Sequence, residues 1–392
     1  MLLLTPESPS MPLALYPLAL AVFAMGTSEF MLAGLVPDIA PDLGVTVGTA
    51  GLLTSAFAIG MVVGAPLMAA LARDRSGRAA LLGFVLLFAA AHAVGAVATG
   101  FPVLFASRVV AALANAGFLA VALTTAAALV PPDRKGRALA VLLSGTTVAT
   151  IVGVPAGSVL GTLLGWRATF WAVAVLCLPA AAGILRSIPG RRPAQGTARA
   201  LGSELAQLRR PRLLLVMLLG ALVNAATFAS FTFLAPVVTG TAGLGELWIS
   251  VALMLFGAGS LAGVGVAGRL SDRRPGLVVA VGGPLLLAGW PALALLAHRP
   301  VALLTLVFVQ GALSFALGST LITRVLYEAA PAPTMAGSYA TAALNIGAAT
   351  GPLLASATLT GTGLGPLWVS GALVALALLI ALPLRAMAPA AP

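Results

Sequence analysis

The segment Ala70-Leu-Ala-Arg-Asp74-Arg75-Ser-Gly77-Arg78 has an echo far down the chain, Gly268-Arg-Leu-Ser-Asp272-Arg273-Arg274-Pro275. Each puts Asp-Arg just past the end of a long apolar run. Working outward from the two loops, the chain divides into twelve such runs, over 13–36, 48–70, 80–98, 103–129, 138–163, 169–187, 213–236, 247–268, 277–296, 301–325, 337–360 and 366–384. About 20 apolar residues in a helix cross a bilayer, and these runs have that length. Most connections are short, so neighbours are expected to be antiparallel. The exception is 188–212, the longest polar stretch. The two Asp-Arg loops then fall at the same place in two sets of six helices, which is an internal repeat. The expected fold is an all-α membrane protein of twelve transmembrane helices in two pseudo-symmetric six-helix bundles. They are 1–187 and 213–392, joined by a cytoplasmic linker at 188–212.

Composition supports this class. Of 392 residues, 60% are hydrophobic and 8% charged, against roughly 25% charged in a soluble domain. The 44 Gly and 27 Pro suit closely packed and kinked membrane helices. The net charge of +11 comes from short clusters between apolar runs, which reads as a topology signal rather than a nucleic-acid surface. With the N-terminus inside, eighteen of the 21 Lys and Arg fall in inner loops or at inner helix ends, Arg167 and Arg299 fall outside, and Arg108 lies within the fourth helix. Both termini are therefore expected in the cytoplasm. Residues 1–11 read as a loose tail, not a cleaved signal, because no Lys or Arg precedes the first run.

One carboxylate stands inside an apolar run. Glu29 lies in Met25-Gly-Thr-Ser-Glu-Phe-Met-Leu-Ala-Gly-Leu-Val-Pro37. A carboxylate there is costly unless it faces a cavity, finds a partner or takes a proton. It reads as a proton or substrate site, or as a Glu reaching the headgroups. Arg108 is the only cation deep within a run, away from its ends. At 1.5 Å per residue it lies ~9 Å below an outer start near Pro102, and Glu29 lies ~10 Å below Val36. Pairing of the two, direct or through water, is expected; the alternative is that Arg108 snorkels to the outer surface. Asn115, Asn224, Thr227, Phe228, Phe231, Gln310 and Asn345 are candidates for an apolar cavity with a few hydrogen-bonding groups, suited to a small amphipathic ligand. Phe233 accompanies them.

Asp74, Arg75 and Arg78, with Asp272 and Arg273, are candidates for a gate latch. An Asp that caps a neighbouring helix start and pairs with Arg would hold the inner ends of the two halves together. The other reading is a solvated charge pair worth under about 1 kcal/mol. Gly153, Gly157 and Gly161 recur at i, i+4, i+8 and form one bare stripe, with Pro155 permitting a bend. The stripe reads either as tight packing alone or as a smooth surface on which two halves rock. The eleventh helix has Gly347-Ala-Ala-Thr-Gly351-Pro352 at the equivalent place.

Several chemistries are excluded. The only lysine, Lys135, follows Arg134, so no Gly-Lys-Ser/Thr phosphate loop exists. Neither His-Glu-x-x-His nor Gly-x-Ser-x-Gly occurs. The single Cys177 excludes an internal disulfide, and His92 and His298 stand well apart. No enzyme activity, metal or cofactor is expected.

These residues resemble the major facilitator superfamily, and within it the twelve-helix drug:proton antiporters. The likeness rests on the Asp74-Arg75-x-Gly77-Arg78 loop and its echo, Arg108 on the fourth helix, and the Gly/Pro fifth helix. More narrowly, the Met25–Pro37 opening, Gly165-Trp-Arg-Ala-Thr-Phe-Trp171 and Leu222-Val-Asn-Ala-Ala-Thr-Phe-Ala-Ser-Phe-Thr-Phe-Leu-Ala-Pro236 are similar to actinobacterial chloramphenicol exporters. The chain departs from the pattern at Ala70, at Ala111 and Ala112 where Gln and Gly are usual, and at Val154. These departures weaken the carry-over of a Gln-assisted proton relay and of the latch in detail. The resemblance implies chloramphenicol efflux driven by the proton gradient, with antibiotic resistance, in the bacterial cell membrane. It implies a monomer whose partners are drug, protons and lipid, with no nucleic acid. Export of a sugar or other small metabolite on the same fold is the alternative. A membrane sensor or channel without coupled transport is a third reading, of a different class.

Overall fold

A computed structural model of the chain describes residues 11–190, 201–245, 247–273, 275–358 and 364–386. Twelve long helices appear among them. The first four are α1 (Leu15–Asp42), α2 (Val47–Ala72), α3 (Gly77–Ala96) and α4 (Phe101–Ala128). Helix α5 is Lys135–Val148, a π turn Ala149–Gly153, then Val154–Leu164, and α6 is Trp166–Ser187. Helix α7 is Pro211–Thr232, extended by Leu234–Pro236 and a π turn Val237–Thr241. The rest are α8 (Leu247–Arg273), α9 (Pro275–Leu296), α10 (Pro300–Glu328), α11 (Ala336–Ser356) and α12 (Gly365–Ala386).

Local chemistry explains the ends. Thr46 and Ser76 accept the amide hydrogens of Thr49 and Ala79 and so start α2 and α3. Pro102, Pro211 and Pro300 stand in first turns, where a missing N–H leaves no bond unmade. Gly165, at φ +83°, makes the turn from α5 into α6, a conformation that costs other residues dearly. Helices overrun the apolar runs by several residues. Helix α1 continues through Pro37 to Asp42, because ending an apolar run does not end the backbone hydrogen bonding.

Ten helices are long and apolar enough to span a membrane, and Gly365–Ala381 is a shorter apolar one. Helix α11 is the remaining long helix, and it carries Ser338, Thr341, Asn345 and Thr350 on a span packed among other helices. Bulky apolar side chains such as Ile59, Leu71, Val175 and Leu295 are more than half exposed. That inversion is expected where lipid replaces water.

The packing repeats. In the first six helices α2 packs on α4, α3 on α4 and α6, and α1 on α5 and α6. Six helices later α8 packs on α10, α9 on α10 and α12, and α7 on α11 and α12. The two sets meet through α5 against α8 and, reciprocally, α11 against α2, with further contacts of α4 on α11 and α5 on α10. The exchanged pairs are those a pseudo-two-fold axis produces.

The glycine stripe corrects one expectation. Gly153, Gly157 and Gly161 do not face the other half. A Cβ on Gly153 would strike Thr27 and one on Gly161 would strike Leu35, while one on Gly157 would touch Thr169 of α6 and Met31; Thr27, Met31 and Leu35 are the matching i, i+4, i+8 ridge of α1. The stripe thus seats α5 on α1 within one half. The π turn before Pro155 follows from the prolyl nitrogen, which cannot donate to the carbonyl one turn back. What α5 offers the other half is the opposite side, where Gly257 of α8 approaches Thr150 and Ile151.

The described part of the linker holds a short helix, Leu201–Leu205. Glu204, although in a polar stretch, is 2% exposed. Its Oε2 accepts the amide hydrogens of Thr334 and Met335, each at 3.0 Å, and Tyr339 donates to its carbonyl at 2.8 Å. An acid at the start of α11 meets the positive end of that helix and satisfies amides that have no helical partner.

Candidate functional site

A cavity of about 140 Å³ lies between the two sets of helices. Glu29 and Phe30 of α1, Met61 of α2, Leu119 of α4 and Leu143, Thr146 and Thr150 of α5 form one wall. Asn224, Thr227, Phe228 and Phe231 of α7, Phe256 of α8, Ser314 and Phe315 of α10 and Asn345 of α11 form the other. Glu29 is the one ionisable group among the lining residues. Phe30 stacks on Phe228 across the junction at 6.2 Å, and Phe231 leans on Phe256 at 4.9 Å. The site is therefore an aromatic slot with one carboxylate and a few amides.

Of the sequence candidates, Glu29, Asn224, Thr227, Phe228, Phe231 and Asn345 line this cavity. Asn224 donates to the Leu344 carbonyl at 2.7 Å, and Asn345 to Thr341 in its own helix at 2.9 Å, which leaves both amide oxygens for another partner. Asn115 does not line the cavity. It stands behind Glu29, with Nδ2 3.5 Å from Oε2. Gln310 is also elsewhere, in a small side pocket described below.

Arg108 corrects part of a second expectation. It does not snorkel, being 1% exposed, and it makes no direct ion pair with Glu29. At the shared depth it takes hold of the residue before Glu29. Nη1 donates to the Ser28 hydroxyl at 2.7 Å and Nη2 to the Ser28 carbonyl at 3.2 Å. The guanidinium also lies 4.5 Å over the Phe57 ring. The hydroxyl of Ser28 meets His92 Nε2 at 2.6 Å, and His92 Nδ1 lies 2.8 Å from the Phe88 carbonyl. A carbonyl only accepts, so Nδ1 carries the proton. Nε2 then accepts from Ser28, which in turn accepts from Arg108. This three-helix chain holds a buried cation without a buried anion touching it. Nothing in the sequence spacing marks Ser28 or His92, because they are 64 residues apart and meet only through packing.

The latch is a third correction. Asp74 is largely exposed and, among the described residues, pairs only with its neighbour Arg73, at 3.5 Å, so among them it caps no helix and joins no halves. Arg75 is exposed. Arg78 lies against Gly190, at the start of the linker. Asp272 and Arg273 end α8, but their side chains lie outside the described residues, as do Arg274 and Glu246. The face carrying these basic loops is instead closed by other groups. Tyr327 donates to the Pro132 carbonyl at 2.7 Å, with Lys135 5.0 Å from its ring centre. Gly337 abuts the Ala120 backbone, and Gly268 abuts Ala140 and Gly136. Gly337 lies eight residues below the lining residue Asn345, about 12 Å along α11, so the contacts sit beneath the cavity.

On the opposite face Arg167 binds the Asp42 carboxylate and donates to the Ala98 carbonyl at 2.9 Å, while Trp166 donates to Asp42 at 3.1 Å. The Arg167 hydrogen bond holds the Asp42 carboxyl below its usual range.

The sequence profile of the Major Facilitator Superfamily matches residues 18–340. The chain belongs to the major facilitator superfamily. It is similar to a chloramphenicol resistance protein of Streptomyces lividans, 78% identical over 96% of this chain and 97% of that one. It is also similar to the inner membrane transport protein YdhP of Escherichia coli K12, 33% identical over 93% of each. Among solved structures, the outward-conformation FucP transporter superposes with a TM-score of 0.75 at 15% identity. The human organic anion transporter MFSD10 gives 0.74 at 19%. Both cover 94% of this chain and 97% of the other, and at such identities they speak for the fold alone. The protein is thus a multi-pass membrane transporter of a superfamily whose sites lie between two helix sets.

Proposed function

We propose that the chain exports chloramphenicol across the bacterial plasma membrane in exchange for protons, by alternating access, and so confers resistance. The observation that carries this reading is Glu29, the one carboxylate on the wall of an aromatic cavity between the helix sets. The Streptomyces relative's name supports the choice of drug. The basic face is cytoplasmic under the positive-inside rule, with both termini there. The described arrangement then has its cytoplasmic side drawn together by Gly337, Gly268 and Tyr327. Helices 1–6 and 7–12 rock as two bodies about the cavity, and the protein works as a monomer.

A proton arriving from outside neutralises Glu29. Drug is then released outward, because the proton and the drug's hydrogen-bonding groups compete for the same carboxylate. Deprotonation toward the cytoplasm resets the site. Arg108 acts at one residue's remove: it fixes the backbone of Ser28, and its charge favours the Glu29 anion without an ion pair to be broken at each cycle. Chloramphenicol is neutral, so shape and hydrogen bonds select it. The test is drug uptake into inside-out vesicles bearing Glu29→Gln. Loss of proton-driven uptake, with drug binding retained, is expected. Undiminished proton-driven uptake by that variant removes Glu29 as the coupling group.

A further inference from the structure

Beside the main cavity, in the second helix set, lies a pocket of about 10 Å³. That is room for one water-sized group. Phe231 and Phe256 line both spaces, so the two adjoin at these rings. Three polar side chains line the small one. The Ser230 hydroxyl is already paired with Ser370 at 2.6 Å, and the other two are each almost wholly enclosed and each has an idle atom. Gln310 is 0% exposed and Trp290 1%. Gln310 Nε2 donates to the Leu286 carbonyl at 3.2 Å. A carbonyl only accepts, so the amide orientation is settled and Oε1 is the free atom, an acceptor with no donor. The indole Nε1–H of Trp290 is a donor with no acceptor. Gly289 makes room for the amide, since a Cβ there would collide with it. One turn along α10, the Ser314 hydroxyl on the main cavity is idle as well. Buried polar atoms are rarely left unpaired, and such a group calls for an occupant.

The occupant must be small, must accept from an indole N–H and must donate to an amide oxygen. A hydroxyl does both. Because the pocket has room for one group only, the hydroxyl must be terminal. Resting on the export reading above, we propose that the Gln310–Trp290 pocket is a specificity subsite that takes the primary hydroxyl of the phenicol propanediol. The secondary hydroxyl carries substituents on both sides and does not enter. The nitro and dichloromethyl ends offer no hydroxyl-like donor.

Thiamphenicol and florfenicol differ in that one group, which is hydroxyl in the first and fluorine in the second. Fluorine cannot donate, so it leaves Gln310 unpaired, and a site built to bind a hydroxyl rejects an analogue lacking it. Proton-driven uptake of both drugs is measured in inside-out vesicles. The wild type is expected to favour thiamphenicol by up to about ten-fold in kcat/KM, the upper end of one net hydrogen bond. Gln310→Met and Trp290→Phe should each bring the ratio toward unity by lowering thiamphenicol transport. Florfenicol transport, little altered, reports that the variants fold. Equal handling of the two drugs by the wild type overturns the subsite and leaves the export reading standing. So does a parallel loss of both drugs in Gln310→Met, which is what a resident structural water predicts. Absence of any phenicol uptake by the wild type overturns the export reading and the subsite with it.

Discussion

Replacing Gly337 with alanine should open the basic face. Gly337 is buried at the start of α11, where it rests on the backbone of α4. A Cβ there would stand 2.8 Å from the Ala120 carbonyl carbon and closer to its oxygen, whereas ordinary contact begins at 3.4 Å. The obstacle is backbone in mid-helix and cannot swing aside. The helices must part by more than the roughly 0.6 Å that the carbon contact alone requires, because the oxygen is nearer still. Overpacking of this kind costs about 1–3 kcal/mol. The alanine also favours helix by about 1 kcal/mol over glycine, but α11 is helical on both sides of the transport cycle, so that gain cancels. The strain is confined to the state in which α4 and α11 touch, and a bias of this size shifts the two populations by roughly 5–150-fold. Spin labels at Arg75→Cys and Leu277→Cys, both exposed and in different helix sets, would report it as a longer distance. The native Cys177 is fully buried and can stay. An unchanged distance distribution in Gly337→Ala would refute the claim that this backbone contact holds the face closed.

Two further outcomes follow from the packing and the outer ion pair. Gly153→Ala should lower the melting temperature of purified protein through a clash with Thr27, and Thr27→Ala in the same chain should restore most of it, since the methyl then fills the space the side chain leaves; a rescue no better than addition of the two single losses would place the stripe against something else. Asp42 has its carboxyl pKa depressed below the ordinary 3.8, so its contribution is complete above that value and is lost as pH falls through the folded-state pKa; Asp42→Asn should lower stability by under about 1 kcal/mol at neutral pH and converge on the wild type as acid protonates the folded carboxyl, and a difference that persists in acid would point to lost shape rather than lost charge.

Much was legible in the chain alone, and the reason differs by feature. Spans and the twofold repeat were legible because lipid forces each crossing to satisfy its own backbone. Glu29 was legible because a carboxylate in an apolar run has few explanations. The direction of the glycine stripe was not. Spacing shows that Gly153, Gly157 and Gly161 share a face, but not that Thr27, Met31 and Leu35 cover it. The Asp74 part of the expected latch failed for a similar reason. Asp74 has the right neighbours in sequence and is exposed in space.

The sequence by itself determined the class of molecule, the helix count and the one acid that needs explaining, because these depend on composition and on order along one chain. Only the tertiary structure decided what Arg108 touches. Depth estimates brought it level with Glu29, yet a guanidinium chooses its partner by angle as well as depth. The packing of α1, α3 and α4 turns Ser28 and His92 toward it and Glu29 toward the cavity. That rotation about a helix axis is set by side chains far apart in the chain, and it separates the fixed cation from the carboxylate that faces the cavity.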